Sequence, residues 1–230
     1  MLLENLRKEV CEANKLLKEY ALVVLTWGNV SAIDRETGLV VIKPSGVAYD
    51  QLTPENMVVL DLQGNVVEGD LNPSSDTPTH LELYKNFPHI GSIVHTHSRW
   101  ATIWSQLGRD IPALGTTHAD DFAGSILCTR TMTDEEIFSE YEKNTGKVIV
   151  ETLNENDPER QFAILVRQHG PFAWEKSPKK AVEKALVLEE VAMMAWHCCA
   201  FDPQLGSMNP SLLTKHFDRK HGKNAYYGQK

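Results

Sequence analysis

The chain has 230 residues, 42% of them hydrophobic and 23% charged, with a formal net charge of −8. That is enough to bury a sizeable core and excludes a disordered chain, while the acidic balance argues against nucleic acid and anionic membrane surfaces as partners. No apolar run approaches the ~18–20 residues of a membrane span. The four cysteines form no C-x-x-C, and residues 2–20 are densely charged where a signal segment would be apolar, so we expect a cytoplasmic protein with free thiols.

Residues 2–20 carry Leu3, Leu6, Val10, Ala13, Leu16 and Leu17 at spacings of three and four, which predicts an amphipathic helix. Short β-rich runs follow at 30–33, 39–43, 57–62 and 66–68, with Gln63-Gly64-Asn65 as a hairpin turn between the last two. Pro78 suits the first position of a helix running to about Phe87. A strand ending in His95-Thr96-His97 precedes a helix over 99–107. Thr133 with Glu136 makes a capping box that starts a helix near Asp134. The runs 148–152 and 162–167 read as strands, and 171–174 as a return from a tight turn at Gly170. A long helix opens at Ser177-Pro178 and a last one spans about 211–220; residues 154–160 form the most loop-like segment. Strands mixed with helices throughout predict one α/β domain over 1–230, layered helix–sheet–helix.

The His-x-His pair carries the first chemical signal. In an extended chain residues i and i+2 share a face, so His95 and His97 project together. An apolar strand does not leave two histidines idle. His169 closes a second apolar run, and three neutral imidazoles suit a catalytic zinc with an open position. Asp76 is a candidate oxygen ligand or a partner to the ligands. The turns Gly28-Asn29, Lys43-Pro44-Ser45-Gly46 and Ser74-Ser75 offer small residues, hydroxyls, an amide and one ammonium, a set that can hold a phosphate. Neither G-x-G-x-x-G nor G-x-x-x-x-G-K-[ST] occurs, so nicotinamide oxidation and P-loop hydrolysis lack their usual signatures.

Several ordered segments together carry a resemblance: Thr26-Trp27-Gly28-Asn29-Val30-Ser31, Ile42-Lys43-Pro44-Ser45-Gly46-Val47, Pro73-Ser74-Ser75-Asp76-Thr77-Pro78-Thr79-His80, Val94-His95-Thr96-His97-Ser98, Gly115-Thr116-Thr117-His118-Ala119-Asp120 and Ala225-Tyr226-Tyr227-Gly228-Gln229. From about Leu3 to Gln229 the chain resembles the L-ribulose-5-phosphate 4-epimerases of the class II aldolase/epimerase superfamily. The resemblance implies a three-layer α/β/α fold with a mostly antiparallel central sheet of about nine strands, assembled as a homotetramer with active sites at subunit interfaces. It implies zinc (Zn2+) held by His95, His97 and His169, with Asp76 on or beside the metal. It implies that Gly28, Asn29, Lys43, Ser45, Gly46, Ser74 and Ser75 line the phosphate pocket of a phosphorylated pentulose. It also implies that Asp120 and Tyr227 form the acid/base pair, reaching the metal from the adjacent subunit, with His216 nearby. Gln168 before His169 and Asp121 after Asp120 depart from the pattern, where a small polar residue and an aromatic are expected.

The implied reaction interconverts L-ribulose 5-phosphate and D-xylulose 5-phosphate. The C4 proton is not α to the C2 carbonyl, so simple deprotonation gives no stabilised anion; cleaving and re-forming C3–C4 does invert the centre. Two other readings share the residues. One is a class II sugar-phosphate aldolase of the L-fuculose-1-phosphate type, in which a glutamate is expected where Asp76 stands. The other is a non-catalytic binding or assembly domain, which retention of every proposed ligand disfavours.

Overall fold

The computed structural model describes residues 1–223 and 225–227. Its centre is a seven-stranded sheet: β1 (Asn29–Asp34), β2 (Leu39–Ile42), β3 (Val58–Leu60), β4 (Val66–Glu68), β5 (Ser92–His95), β6 (Ala163–Leu165) and β7 (Pro171–Glu175). The order is β4-β3-β2-β1-β5-β7-β6, and every pairing is antiparallel. The antiparallel sheet matches the expectation, but its strands number seven among the described residues and not about nine. Ile111 meets Ile126, and Cys128 meets Leu165, through single bridges that do not extend into strands.

Alternation along each strand divides the core. Val30, Ala32, Val41, Val94, Leu165 and Ala173 face one layer with Val10 and Leu17 of α1 (Glu4–Glu19), Trp104 of α3 (Arg99–Leu107) and Val182 and Leu188 of α7 (Pro178–Phe201). Ile33, Val40, Ile93, Ile164, Phe172 and Trp174 face the other, under Leu81 and Tyr84 of α2 (Thr77–Asn86) and Ile149 and Leu153 of α6 (Tyr141–Asn154). The helix–sheet–helix layering is thus present.

One predicted strand is a helix. Residues 148–152 lie inside α6. Val148, Ile149 and Val150 have the β-branched composition of a buried strand, but burial falls on Thr145, Val148, Ile149 and Leu153, a helical stripe that packs against α2. Tertiary packing overrides the local preference here. The other elements lie within a few residues of their predicted limits, and Thr133 and Glu136 do form the capping box of α5 (Asp134–Phe138).

Asn14 fastens α1 to the strand that leads into the site. Its Nδ2 donates to the carbonyls of Val10 (2.8 Å) and Val30 (3.2 Å), and its Oδ1 accepts from the Val30 N–H (2.9 Å), all fully buried. Asn14→Ala leaves the Val30 N–H in the core without a partner, so we expect a loss of about 1–3 kcal/mol in urea denaturation.

Candidate active site

The register of three central strands assembles the site. Asn29 of β1 pairs with His95 of β5, and His95 pairs with Phe172 of β7, so these three lie in one row across the sheet. His97 sits beyond the end of β5, and its Nε2 comes 3.1 Å from His95 Nε2. His169 stands on the β6–β7 turn. There Gly170 is required: a Cβ would lie 2.7 Å from the Thr96 carbonyl oxygen, closing the approach of this turn to the His95–His97 segment. The ring centroids of His95, His97 and His169 are 4.7–5.0 Å apart, and one nitrogen from each falls within a common 4.8 Å.

The donor set fits a divalent cation. His95 Nδ1 donates to the Pro171 carbonyl (3.0 Å), which leaves Nε2 with a lone pair turned to His97. Phe172 stacks on the His95 ring at 4.2 Å and fixes its plane. His169 Nδ1 is buried with no hydrogen-bond partner among the described residues. Burial, reinforced by the neighbouring imidazoles, lowers the His97 pKa and takes His169 to about 3, so both rings are neutral at pH 7, the form that binds metal.

Asp76 occupies the N-cap of α2 but does not cap it. Its carboxylate turns instead to the imidazoles, with Oδ2 2.8 Å from Asn29 Nδ2 and 4.0 Å from His95 Nε2. Burial pushes the Asp76 pKa up, yet His95, His80, His169 and the Asn29 hydrogen bond together hold it below the usual carboxylate range.

The same cavity, about 550 Å³, joins the imidazoles to the turns read as phosphate-binding. Gly28, Asn29, Lys43, Ser45, Gly46, Ser74, Ser75, Asp76, His97 and His169 all line it. Gly28 has φ +92°, and a Cβ there would stand 2.8 Å from the His95 carbonyl oxygen, so only glycine lets this turn lie against β5. Asn29 also donates to Ser74 Oγ (2.9 Å), while its own Oδ1 is buried with no partner among the described residues. Lys43 is buried at the end of β2 with Nζ 3.2 Å from the Pro44 carbonyl and 5.1 Å from the centre of the Tyr49 ring. No carboxylate pairs with it among the described residues, and burial lowers its pKa to about 8. An uncompensated buried cation beside an unpartnered amide oxygen and two serines is a ready anion cradle.

Trp27, Tyr141 and Glu142 also line the cavity and were not among the predicted site residues. Tyr141 and Glu142 open α6, the helix partly misread as a strand, so no sequence signal pointed its first turn at the histidines. Wider clefts lie near α7 and α8 (Pro210–His221) and contain none of the three clustered histidines.

Asp120 and Tyr227 do not line this cavity among the described residues of the one chain. They meet each other's neighbours elsewhere. Asp120 accepts from Arg219 Nε (3.0 Å) and Nη2 (2.7 Å), and its Oδ1 pairs with His216 Nδ1 (2.9 Å). The Arg219 guanidinium lies 4.9 Å over the exposed Tyr227 ring, and the Tyr227 N–H donates to the Arg219 carbonyl. Burial raises the Asp120 pKa, but Arg219 and His216 outweigh it and keep the carboxylate ionised. Asp121, where an aromatic was expected, binds Lys184 Nζ (2.8 Å) and Lys220 Nζ (2.9 Å), tying α7 and α8 together one residue from Asp120. Gly228 and Gln229 of the tail segment lie outside the described residues.

Residues 8–196 match the family model described as the Class II Aldolase and Adducin N-terminal domain. The chain belongs to the class II aldolase/adducin family. Among solved structures, an L-fuculose 1-phosphate aldolase superposes with a TM-score of 0.78 at 26% identity, covering 92% of this chain and 94% of its own. An L-fuculose-1-phosphate aldolase from Thermus thermophilus does so at 0.65 and 25% identity, covering 88% and 99%. YgbL from Escherichia coli, a putative aldolase/epimerase/decarboxylase, gives 0.73 at 24% identity, covering 92% and 97%, and supports the shared fold. In this class II aldolase-family chain the three imidazoles are arranged consistently with a divalent metal site, and no helix among the described residues is long and apolar enough to cross a membrane.

Two outcomes follow. His97→Ala leaves two imidazoles, and we expect metal retention after dialysis to fall by more than the roughly 10–100-fold that a hydrogen-bond partner of a ligand carries, measured by elemental analysis. Because Lys43 is protonated below about pH 8 and neutral above it, kcat/KM for a sugar phosphate should decline about tenfold per pH unit above that point; Lys43→Met should flatten this limb and raise KM.

Proposed function

We propose that the chain breaks and re-forms a carbon–carbon bond in a phosphorylated ketose, and that this epimerises L-ribulose 5-phosphate and D-xylulose 5-phosphate at C4. The supporting observation is the single cavity that joins His97 and His169, clustered with His95, to a buried lysine with no carboxylate partner among the described residues. One end suits an oxyanion and the other a phosphate. Zinc held by His95, His97 and His169 would supply Lewis-acid stabilisation to negative charge developing on substrate oxygens.

The residues then divide the work. Lys43, Ser45, Ser74 and Ser75, with the backbone of Gly28 and Gly46, hold the phosphate. Asn29 fixes Asp76 and offers its free Oδ1 to a substrate hydroxyl. Asp76 lies beside the ligands and is restrained by Asn29, so it is short and poorly placed to reach a sugar hydroxyl as a proton carrier.

Proton transfer at the C4 oxygen falls to Asp120 and Tyr227, contributed by a neighbouring subunit of a homotetramer, since neither lines the cavity of its own chain. Asp120 acts through His216: with His216 Nδ1 turned to the Asp120 carboxylate, Nε2 is left to take and return a proton. Tyr227 serves the opposite face.

A second reading, cleavage of a sugar 1-phosphate with release of the aldehyde, draws more from the comparisons, because the named relatives are L-fuculose 1-phosphate aldolases. The residues at position 76 and in the tail favour epimerisation. Coupled detection of D-xylulose 5-phosphate from L-ribulose 5-phosphate, with and without chelator, separates the two. We expect chelator-sensitive epimerisation by the wild-type chain, and in Tyr227→Phe an unchanged metal content with turnover reduced by roughly 10²-fold or more. Cleavage of L-fuculose 1-phosphate with no pentulose epimerisation would establish the second reading instead.

A further inference from the structure

Trp27 is placed unlike the other large aromatics near the sheet. Trp174 and Trp104 are 1% and 5% exposed, whereas Trp27 is 52% exposed and contributes little to the core. Its ring lies on the cavity wall, with its centroid 6.1 Å from that of His97, and it immediately precedes the Gly28-Asn29 turn at the phosphate end. It therefore spans the stretch between the imidazoles and the anion cradle.

The backbone under this ring is held. Tyr49, 2% exposed, donates its hydroxyl to the carbonyls of both Trp27 and Gly28 at 2.8 Å. The Trp27 N–H closes a turn onto the Val24 carbonyl (3.0 Å), and the Leu22 N–H is bonded to Leu17. Two non-glycine residues of the segment, Ala21 (φ 55°) and Leu25 (φ 53°), take left-handed conformations that persist only where the surroundings impose them. A segment anchored at both ends holds the Trp27 backbone in place beside the cavity.

We propose that Trp27 determines specificity by walling the place where the aldehyde turns. This inference rests on the epimerase reading above. In that reaction the C4 hydroxyl proton passes to the base, C4 becomes an aldehyde, the C3–C4 electron pair becomes the C2–C3 double bond, and the C2 carbonyl oxygen takes the negative charge. The reverse step on the other aldehyde face inverts C4, with no net oxidant or reductant. The fragments are a dihydroxyacetone enediolate at the imidazole end and glycolaldehyde phosphate tethered only by its phosphate. Rotation about that tether sweeps the aldehyde through the space beside Trp27. The indole keeps water and bulk solvent out of that space, so re-addition outruns escape.

The test measures how each cleavage event ends. Zinc-loaded wild-type, Trp27→Ala and Trp27→Phe proteins are given L-ribulose 5-phosphate, and D-xylulose 5-phosphate and free glycolaldehyde phosphate are quantified together. We expect the ratio of released aldehyde to epimer to rise at least about tenfold in Trp27→Ala, the low end of what pocket-wall contacts discriminate, and to return near the wild-type ratio in Trp27→Phe. A purely structural role would lower both products together and leave the ratio alone; that result overturns the proposal. Should Trp27→Ala fail to fold or hold metal, Trp27→Leu is read in its place: a wild-type ratio in a protein of unchanged melting temperature and metal content overturns the proposal equally. A wild-type chain that produces no epimer refutes the epimerase reading itself, and the role of Trp27 with it.

Discussion

The antiparallel register of β1, β5 and β7 is the constraint on which the site depends. It puts Asn29, His95 and Phe172 in one row, so that the aromatic floor, a metal ligand and the amide that orients Asp76 are neighbours across hydrogen-bonded strands. A slip of one residue in β5 would send His95 to the α1–α7 face and Val94 into the cavity. Both faces of these strands are buried under helices, which makes such a slip costly and the register well determined.

Everything else in the cavity is placed by short excursions from that row. The β6–β7 turn carries His169 back over Thr96, the turn before β1 carries Gly28 against the His95 carbonyl, and the start of α2 brings Ser74, Ser75 and Asp76. Charge is managed differently at the two ends. Around the candidate metal site burial keeps His97 and His169 neutral, with the restrained Asp76 carboxylate beside them. At the other end burial leaves Lys43 partly desolvated, with no carboxylate partner among the described residues.

The Asp120 cluster has the opposite character. Its carboxylate is fully engaged by Arg219 and His216, and the adjacent Asp121 bonds Lys184 and Lys220, so the C-terminal helix is tied to residues 120–121 by charge more than by apolar contact. Phe217 is the one residue of α8 that is buried.

The sequence by itself determined most of the elements and the candidate residues of the site. The His-x-His spacing works because extended residues two apart share a face, and the Thr133 capping box, the Pro78 helix start and the 3.6-residue stripe of α1 are local signals that tertiary contacts did not need to correct. The small-residue turns were legible too, since their glycines are dictated by local approach and positive φ. Only the tertiary structure decided what depends on contacts between distant segments. It turned the β-branched run at 148–152 into a helix whose first turn faces the histidines. It set the Asp76 carboxylate 2.8 Å from Asn29 Nδ2 and 4.0 Å from His95 Nε2. It set Trp27 on the cavity wall, and it bound Asp120 to His216 and Arg219, far along the chain. Each of these outcomes is a choice between partners equally available to the local sequence, and burial across the two helical layers makes that choice.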